Sequence, residues 1–216
     1  MILSIEPPIR DSKMKKTLTI ALLKKEARHF SKSESKHMEP TLFGITDGKA
    51  VGTYLEHKFQ RYLKNKYGYQ EGSSAKGIDF PELGVDIKVT SIRQPQSSCP
   101  FKSARQKVYG LGYSLLVFVY EKTDDEQSRT GKLDIKHVIF IDSTRTADFQ
   151  TTTGLRRILD NEGNVDDLIA FLSDRFLPID EIAAQELAGE ILKNPPSIGY
   201  LTISNALQWR LVWASD

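Results

Sequence analysis

Two absences limit what this chain can be. Its 216 residues include a single cysteine, Cys99, so neither an internal disulfide nor a cysteine metal cluster can form. Such cysteine usage is typical of a reduced, intracellular compartment. No apolar run approaches the roughly 20 residues that a membrane-spanning helix needs, and the N-terminal residues lack the basic and apolar regions of a signal peptide. We therefore expect a soluble, cytoplasmic protein that does not enter a membrane.

The composition is that of a folded protein whose charge is unevenly distributed. Hydrophobic residues make up 39% and charged residues 27%, which excludes disorder over the whole chain. Residues 1–110 hold 20 Lys or Arg against 11 Asp or Glu, whereas residues 111–216 hold 10 against 17. The basic half is a hint of a surface that faces a polyanion, although two ordinary solvated faces explain the same charges.

Periodicity along the chain predicts a helix, then strands, then helices. Apolar residues at helical spacing predict helices over 14–30, 50–67, 103–109, 152–159, 165–176 and 180–192. Alternating or continuous apolar runs predict strands over 85–90, 115–120, 135–141, 200–203 and 207–213. The run 115–120 is apolar enough to be buried on both faces. Polar residues predict a loop or linker over 31–39 and a charged, hairpin-like loop over 123–130. This order predicts an α/β or α+β fold with a mixed central β-sheet flanked by helices.

The clearest chemistry lies around the predicted strand 85–90. Asp79 precedes this strand, and Asp86 and Lys88 share one of its faces because side chains alternate along a strand. Two carboxylates supply the hard oxygen ligands that Mg²⁺ prefers, and a neighbouring ammonium can hold an attacking water or stabilise negative charge. This is the equipment for metal-assisted hydrolysis of a phosphodiester.

A fourth residue, Glu56, strengthens this interpretation. It lies on the predicted helix 50–67, one step off the apolar stripe, from where a carboxylate can face the strand. Asp86 and Lys88 alone are more simply explained as a solvated strand face or a cross-strand ion pair. Their combination with Asp79 and Glu56 favours a functional site.

These residues resemble a known family. Asp79, six intervening residues and then Asp86-Ile87-Lys88 match the PD-(D/E)XK nuclease pattern. The string DFPELGVDIK resembles the active-site strand of the mismatch-repair strand-nicking endonuclease and of its type II restriction-enzyme relatives. The sequence departs from the pattern at Ile78, which stands where the family has proline, and at Asp86, which replaces the glutamate of the mismatch-repair enzyme. The resemblance covers roughly residues 44–120.

The resemblance implies a restriction-endonuclease-like fold with the catalytic strand near the middle of its sheet. It also implies Mg²⁺-dependent cleavage of double-stranded DNA by Glu56, Asp79, Asp86 and Lys88. In this scheme Asp79 and Asp86 bind Mg²⁺ with the Ile87 carbonyl as a third ligand, and Lys88 positions or activates the water. Glu56 binds a second metal or orders the waters of the first.

This interpretation also predicts the domain organisation. We expect a single nuclease domain over residues 1–216. It would contain an N-terminal arm and helix over about 1–40 and a catalytic core over about 44–145.

The polar and basic segment 91–107 is predicted to contact DNA. Lysine and serine suit phosphates, arginine suits guanine and glutamine suits adenine. A polar surface loop followed by an amphipathic helix is the alternative. The candidate DNA-binding residues are Arg93, Gln94, Gln96, Lys102, Arg105 and Lys107.

Three functional hypotheses follow. The first is a sequence-specific type II restriction endonuclease without an ATPase, since the chain has no GxxxxGK[ST] nucleotide loop. Cutting both DNA strands would then require a homodimer or sequential nicking. The second is a mismatch-repair-type nicking endonuclease or a junction resolvase. The third is a catalytically inactive DNA-binding module, against which the four intact site residues argue.

Overall fold

The computed structural model describes residues 15–70, 72, 77–93, 97–98, 100–175, 177, 179–204 and 208–211, and all structural statements concern this part of the chain. The helices are α1 (Ile20–Glu34), α2 (Gly48–Lys64), α3 (Ala104–Tyr109), α4 (Phe149–Asp160), α5 (Val165–Asp174) and α6 (Glu181–Lys193). The strands are β1 (Lys16–Thr17), β2 (Met38–Glu39), β3 (Tyr67–Gly68), β4 (Val85–Ser91), β5 (Ser97–Ser98), β6 (Ser114–Asp125), β7 (Thr130–Ile141), β8 (Leu201–Ser204) and β9 (Gln208–Leu211).

The main sheet is mixed and has the strand order β2-β7-β6-β4. β4 runs parallel to β6, while β7 is antiparallel to both of its neighbours, β6 and β2. This sheet with its flanking helices confirms the predicted fold class. The expectation that the strand with Asp86 and Lys88 lies near the middle of the sheet is wrong, because within the described residues β4 is at the edge. The inner position beside it belongs to β6, whose side chains are apolar on both faces.

Burial of β6 on both faces confirms the prediction made from its continuous apolar run. One face packs with α1 and α2 and includes Leu116, Phe118 and Tyr120. The other face contributes Leu115, Val117 and Val119 to a separate cluster with Leu111 and Leu201. Because both faces of β6 are covered, a polar site that solvent can reach does not lie on this strand. The polar candidate residues Asp86 and Lys88 lie instead on its neighbour β4.

Two predicted loops turned out to contain regular structure. In the segment 123–130 the hairpin turn is confined to residues 126–129, because β6 continues to Asp125 and β7 begins at Thr130, which pairs with it. Within the segment 31–39, α1 continues to Glu34, whose buried carboxylate accepts hydrogen bonds from Tyr54 and Lys58 of α2. A polar residue such as Glu34 can therefore lie in a helix, because residues elsewhere in the fold form hydrogen bonds with its side chain.

The boundaries of the first two helices follow from their capping residues. Thr19 caps α1, its hydroxyl accepting from the Leu22 N–H, so the helix begins at Ile20 rather than at Met14. Asp47 caps α2 by accepting from the N–H groups of Lys49 and Ala50, and the helix therefore begins at Gly48. Of the predicted apolar stripe of α2, Leu55, Phe59 and Leu63 are buried, whereas Tyr62 is only partly buried; Val51 is buried in addition.

The C-terminal part forms a helical cluster beside a small sheet. α3, α5 and α6 pack with α4 around apolar residues that include Leu155, Leu168 and Leu172. The predicted helices 152–159, 165–176 and 180–192 correspond to α4, α5 and α6 with shifted ends. β8 and β9 are antiparallel neighbours, and β5 pairs with β9. In the described part of the chain, no helix has the length and apolar character to cross a membrane.

Candidate active site

A tight turn places Asp79 beside the start of β4. Phe80 and Val85 exchange two backbone hydrogen bonds across this turn, and Gly84 adopts the left-handed conformation with φ 59°, which costs glycine little because it has no Cβ. The N–H of Ile87 donates to Asp79 Oδ2 at 2.7 Å. The turn thereby holds the first predicted acid against the strand that bears the second.

Asp86 and Lys88 project from the same face of β4, as predicted from strand alternation. Asp86 is only 5% exposed, and its Oδ2 lies 2.7 Å from Lys88 Nζ. That distance makes an ion pair, although this buried oxygen has no hydrogen-bond partner among the described residues. The Lys88 ammonium is therefore the cation that faces this buried carboxylate oxygen.

The pKa values of the two aspartates are raised. Burial, and next the Glu56 carboxylate, raise the pKa of Asp79 to about 6. Burial is also the main cause that raises the pKa of Asp86 to about 6; the nearby Asp79 adds to it and Lys88 opposes it. For Lys88, burial lowers the pKa but attraction to Asp86 outweighs it, and the net pKa is raised. The ion pair therefore favours the lysine cation, while burial still disfavours the aspartate anion.

Helix α2 contributes two side chains to the site. Glu56 is half-buried next to Asp79, as its effect on the Asp79 pKa requires. Gln60, one helical turn later, donates from Nε2 to Asp79 Oδ1 at 2.9 Å, and the Tyr69 hydroxyl donates to the Gln60 carbonyl. Asp79 therefore connects the helix residue Glu56 with the strand residues, and all four predicted residues lie in one continuous cluster.

The donor set fits Mg²⁺ held by two carboxylates. Mg²⁺ usually keeps several waters and is bound through one or two carboxylates together with substrate phosphates. Asp79 and Asp86 supply such a pair, and the Asp86 Oδ2 atom lacks a hydrogen bond. No group of three or more His, Cys, Asp or Glu side chains within the described ranges is arranged to hold one ion. The site accordingly offers a carboxylate pair and not an all-protein cage.

Two residues near the site were missed at the sequence level. Gln60 follows Glu56 by four positions, so helical spacing placed it on the same side and could have identified it. Tyr113 precedes β6, and it lies close enough to Asp86 and Lys88 to interact electrostatically with both. It has no local signal in the sequence, because only the pairing of β4 with β6 brings it there.

The two arginines predicted to bind DNA lie on the surface in ion pairs. Arg93 is exposed and donates to Glu121 at 2.9 Å. Arg105 on α3 is exposed and contacts Glu190 of α6 through two nitrogens, the shorter distance being 2.5 Å. Exposed pairs of this kind stabilise a protein by less than about 1 kcal/mol, so they can exchange for other anions.

The remaining predicted DNA contacts are less uniform. Lys102 is exposed before α3, whereas Lys107 on α3 is half-buried. Gln94 and Gln96 lie outside the described residues.

Sequence comparison assigns the chain to a class of enzymes, the type II restriction enzymes. A family model described as type II restriction enzyme NspV matches residues 17–215. The type II restriction enzyme NspV of Nostoc sp. (strain ATCC 29411 / PCC 7524) is 66% identical over 194 residues, which cover 90% of this chain and 88% of the relative. The chain therefore belongs to the NspV family of type II restriction enzymes, as the first functional hypothesis expected. No solved structure matches it.

Proposed function

We propose that this protein is a Mg²⁺-dependent endonuclease that hydrolyses double-stranded DNA at a specific sequence. The observation that carries the proposal is the contact of Asp79 with the backbone of Ile87 at 2.7 Å, beside the Asp86–Lys88 ion pair at 2.7 Å. This puts two hard anionic ligands and one cation at the start of the same strand. Membership in a restriction-enzyme family supports DNA as the substrate.

The chain's residues have distinct roles in this reaction. When bound, Mg²⁺ polarises a phosphoryl oxygen and lowers the pKa of a bound water. Asp79 and Asp86 would hold the ion in their deprotonated forms, and the Ile87 carbonyl would be a third ligand. The Lys88 ammonium holds the attacking water or stabilises the negative charge that develops on the phosphate. Glu56 binds a second ion or orders the waters around the first. We place this site in the PD-(D/E)XK superfamily, with the mismatch-repair nicking endonuclease as a relative.

Recognition and assembly complete the proposal. Arg93, Gln94, Gln96, Lys102, Arg105 and Lys107 would contact the DNA, the two arginines by exchanging a protein carboxylate for a phosphate or a base. The single nuclease domain covers residues 1–216, with its catalytic core over about 44–145. The protein acts in the cytoplasm, and a homodimer would place one site on each DNA strand.

Incubation of the purified protein with a supercoiled plasmid and Mg²⁺ tests this function. Discrete linear fragments whose ends share one sequence are expected. Asp86→Ala should bind the plasmid without cutting it, because the phosphate contacts lie elsewhere, and Glu126→Ala in the exposed hairpin turn is the matched control. Nicked circles alone, or preference for hemimethylated duplexes or four-way junctions, would indicate a nicking enzyme or a resolvase. Binding without cleavage in Mg²⁺ or Mn²⁺ would indicate an inactive DNA-binding module.

A further inference from the structure

The cations of α2 are divided between two sides of the helix. This helix carries Lys49, Lys58, Arg61 and Lys64 against a single acid, Glu56. On the side that faces α1, Lys58 pairs with the buried Glu34 at 3.0 Å. Just beyond the end of α2, Lys66 likewise pairs with the buried Glu26 at 2.8 Å. These pairs neutralise the α1 side, and the remaining cations lie elsewhere on the helix.

The solvent side of α2 presents His57, Arg61 and Lys64. These three residues follow one another at spacings of four and three, which places them on one face of the helix. All three are exposed. Within the described residues, neither His57 nor Arg61 makes an ion pair. Among the described residues, the Arg61 guanidinium therefore has no carboxylate partner. On the α1 side, by contrast, Lys58 and Lys66 are paired with buried glutamates.

This cationic face adjoins the candidate active site. Gln60, which donates to Asp79, is four residues before Lys64 and next to Arg61 in the chain. An open groove of about 440 Å³ is lined by Tyr54, His57, Gln60, Arg61 and Lys64. Gln60 both lines this groove and donates to Asp79, so a polyanion lying in the groove would be next to the candidate site.

We propose that His57, Arg61 and Lys64, on the solvent face of α2, bind backbone phosphates that flank the scissile bond of DNA. This inference rests on the proposed function and assigns a second DNA-binding surface, separate from the segment 91–107. Charge complementarity selects a phosphate backbone, and the chemistry of phosphate contacts makes the surface insensitive to base sequence. Because this surface lies beside Asp79, DNA bound to it would have its phosphodiester backbone positioned near Asp79 and Asp86.

The test measures how DNA affinity depends on salt, with Ca²⁺ in place of Mg²⁺. Arg61→Ala and the double variant His57→Ala/Arg61→Ala are compared with the wild type on a labelled duplex, between about 50 and 200 mM salt. Each lost phosphate contact removes about 0.9 from the slope of log K against log salt. Over this fourfold change in salt, the wild type should therefore lose about 3.5-fold more affinity than Arg61→Ala. Arg61→Lys should retain the wild-type slope.

Arg157→Ala is the matched control, since Arg157 is an exposed arginine on α4, which packs in another hydrophobic cluster. It should leave the slope unchanged. An unchanged slope in both α2 variants would overturn the proposal, as would a change in oligomeric state with unaltered DNA affinity, which would assign this face to self-association. A wild-type protein that binds but does not cut plasmid with Mg²⁺ would instead refute the proposed function while leaving the slope comparison valid.

Discussion

Replacing Asp86 with asparagine should stabilise the metal-free protein at pH 8 and abolish cleavage. Asp86 is 5% exposed, and its pKa is raised from 3.8 to about 6, chiefly by burial. At 1.36 kcal/mol for each pKa unit, ionising this carboxyl costs the folded state about 3 kcal/mol relative to the unfolded state. The attraction to Lys88 is already included, because it opposes burial in setting that pKa. Asparagine resembles the neutral acid and avoids this cost, so about 3 kcal/mol is the upper limit of the gain.

The same carboxyl should make wild-type stability depend on pH. A raised pKa means that the folded state binds more protons than the unfolded state between pH 3.8 and about 6, so the free energy of unfolding falls as pH rises through that window. For this group alone, the fall from pH 5 to pH 8 is about 1.4 kcal/mol. Glu26 and Glu39, whose pKa values are lowered to about 2, change stability in the opposite sense, and only below their usual value of 4.5.

Urea unfolding in EDTA at pH 5 and pH 8 measures both effects. Asp86→Asn should be more stable than the wild type at pH 8 and should vary less between the two pH values. Added Ca²⁺ should stabilise the wild type but not the variant, because only the wild type keeps both carboxylates. Glu126→Gln, in the exposed turn, should stay within about 0.5 kcal/mol of the wild type. A variant that is less stable at pH 8, or that has the wild-type pH dependence, would refute the argument that burial penalises this charge.

Four further outcomes are expected. Lys88→Ala should lower the single-turnover cleavage rate by roughly 10²-fold or more without weakening Ca²⁺ binding measured by calorimetry, since a protonated amine cannot bind a metal; rescue by added Mg²⁺ would contradict this role. The cleavage rate of the wild type should fall as pH drops below about 6, where Asp79 and Asp86 become protonated, and a rate that is flat down to pH 5 would argue against them as ligands. Gln60→Leu removes a donor to the Asp79 carboxylate and should move the midpoint of that pH profile upward; an unmoved midpoint would make Gln60 merely structural. Lys102→Ala should reduce the salt slope of DNA binding by about one, and an unaltered slope would remove Lys102 from the interface.

The positions of the site residues on their elements were predictable because they depend on local geometry. Alternation along β4 placed Asp86 and Lys88 on one face, and helical spacing placed Glu56 beside the buried Leu55. The short spacing from Asp79 to Asp86 left room only for a tight turn. These relations connect residues within about ten positions, where backbone geometry dominates.

Charge patterns were less informative about the ends of elements. The polar residues near Glu34 and Asp125 predict loops, yet α1 continues to Glu34 and β6 continues to Asp125. Sequence polarity reports only solvent preference, whereas the carboxylate of Glu34 is satisfied by Tyr54 and Lys58, which are some 20 residues away in the chain.

The sequence by itself determined the mixed α/β class, the buried character of β6 and the shared strand face of Asp86 and Lys88, because each follows from periodicity along the chain. Only the tertiary structure decided that β4 lies at the sheet edge, that Gln60 bonds to Asp79 and that Tyr113 lies near Asp86. It also decided that Asp86 is buried with a pKa of about 6 rather than solvated on a polar strand face. The physical reason is that burial and strand pairing depend on contacts between distant segments, and no local pattern in the chain specifies them.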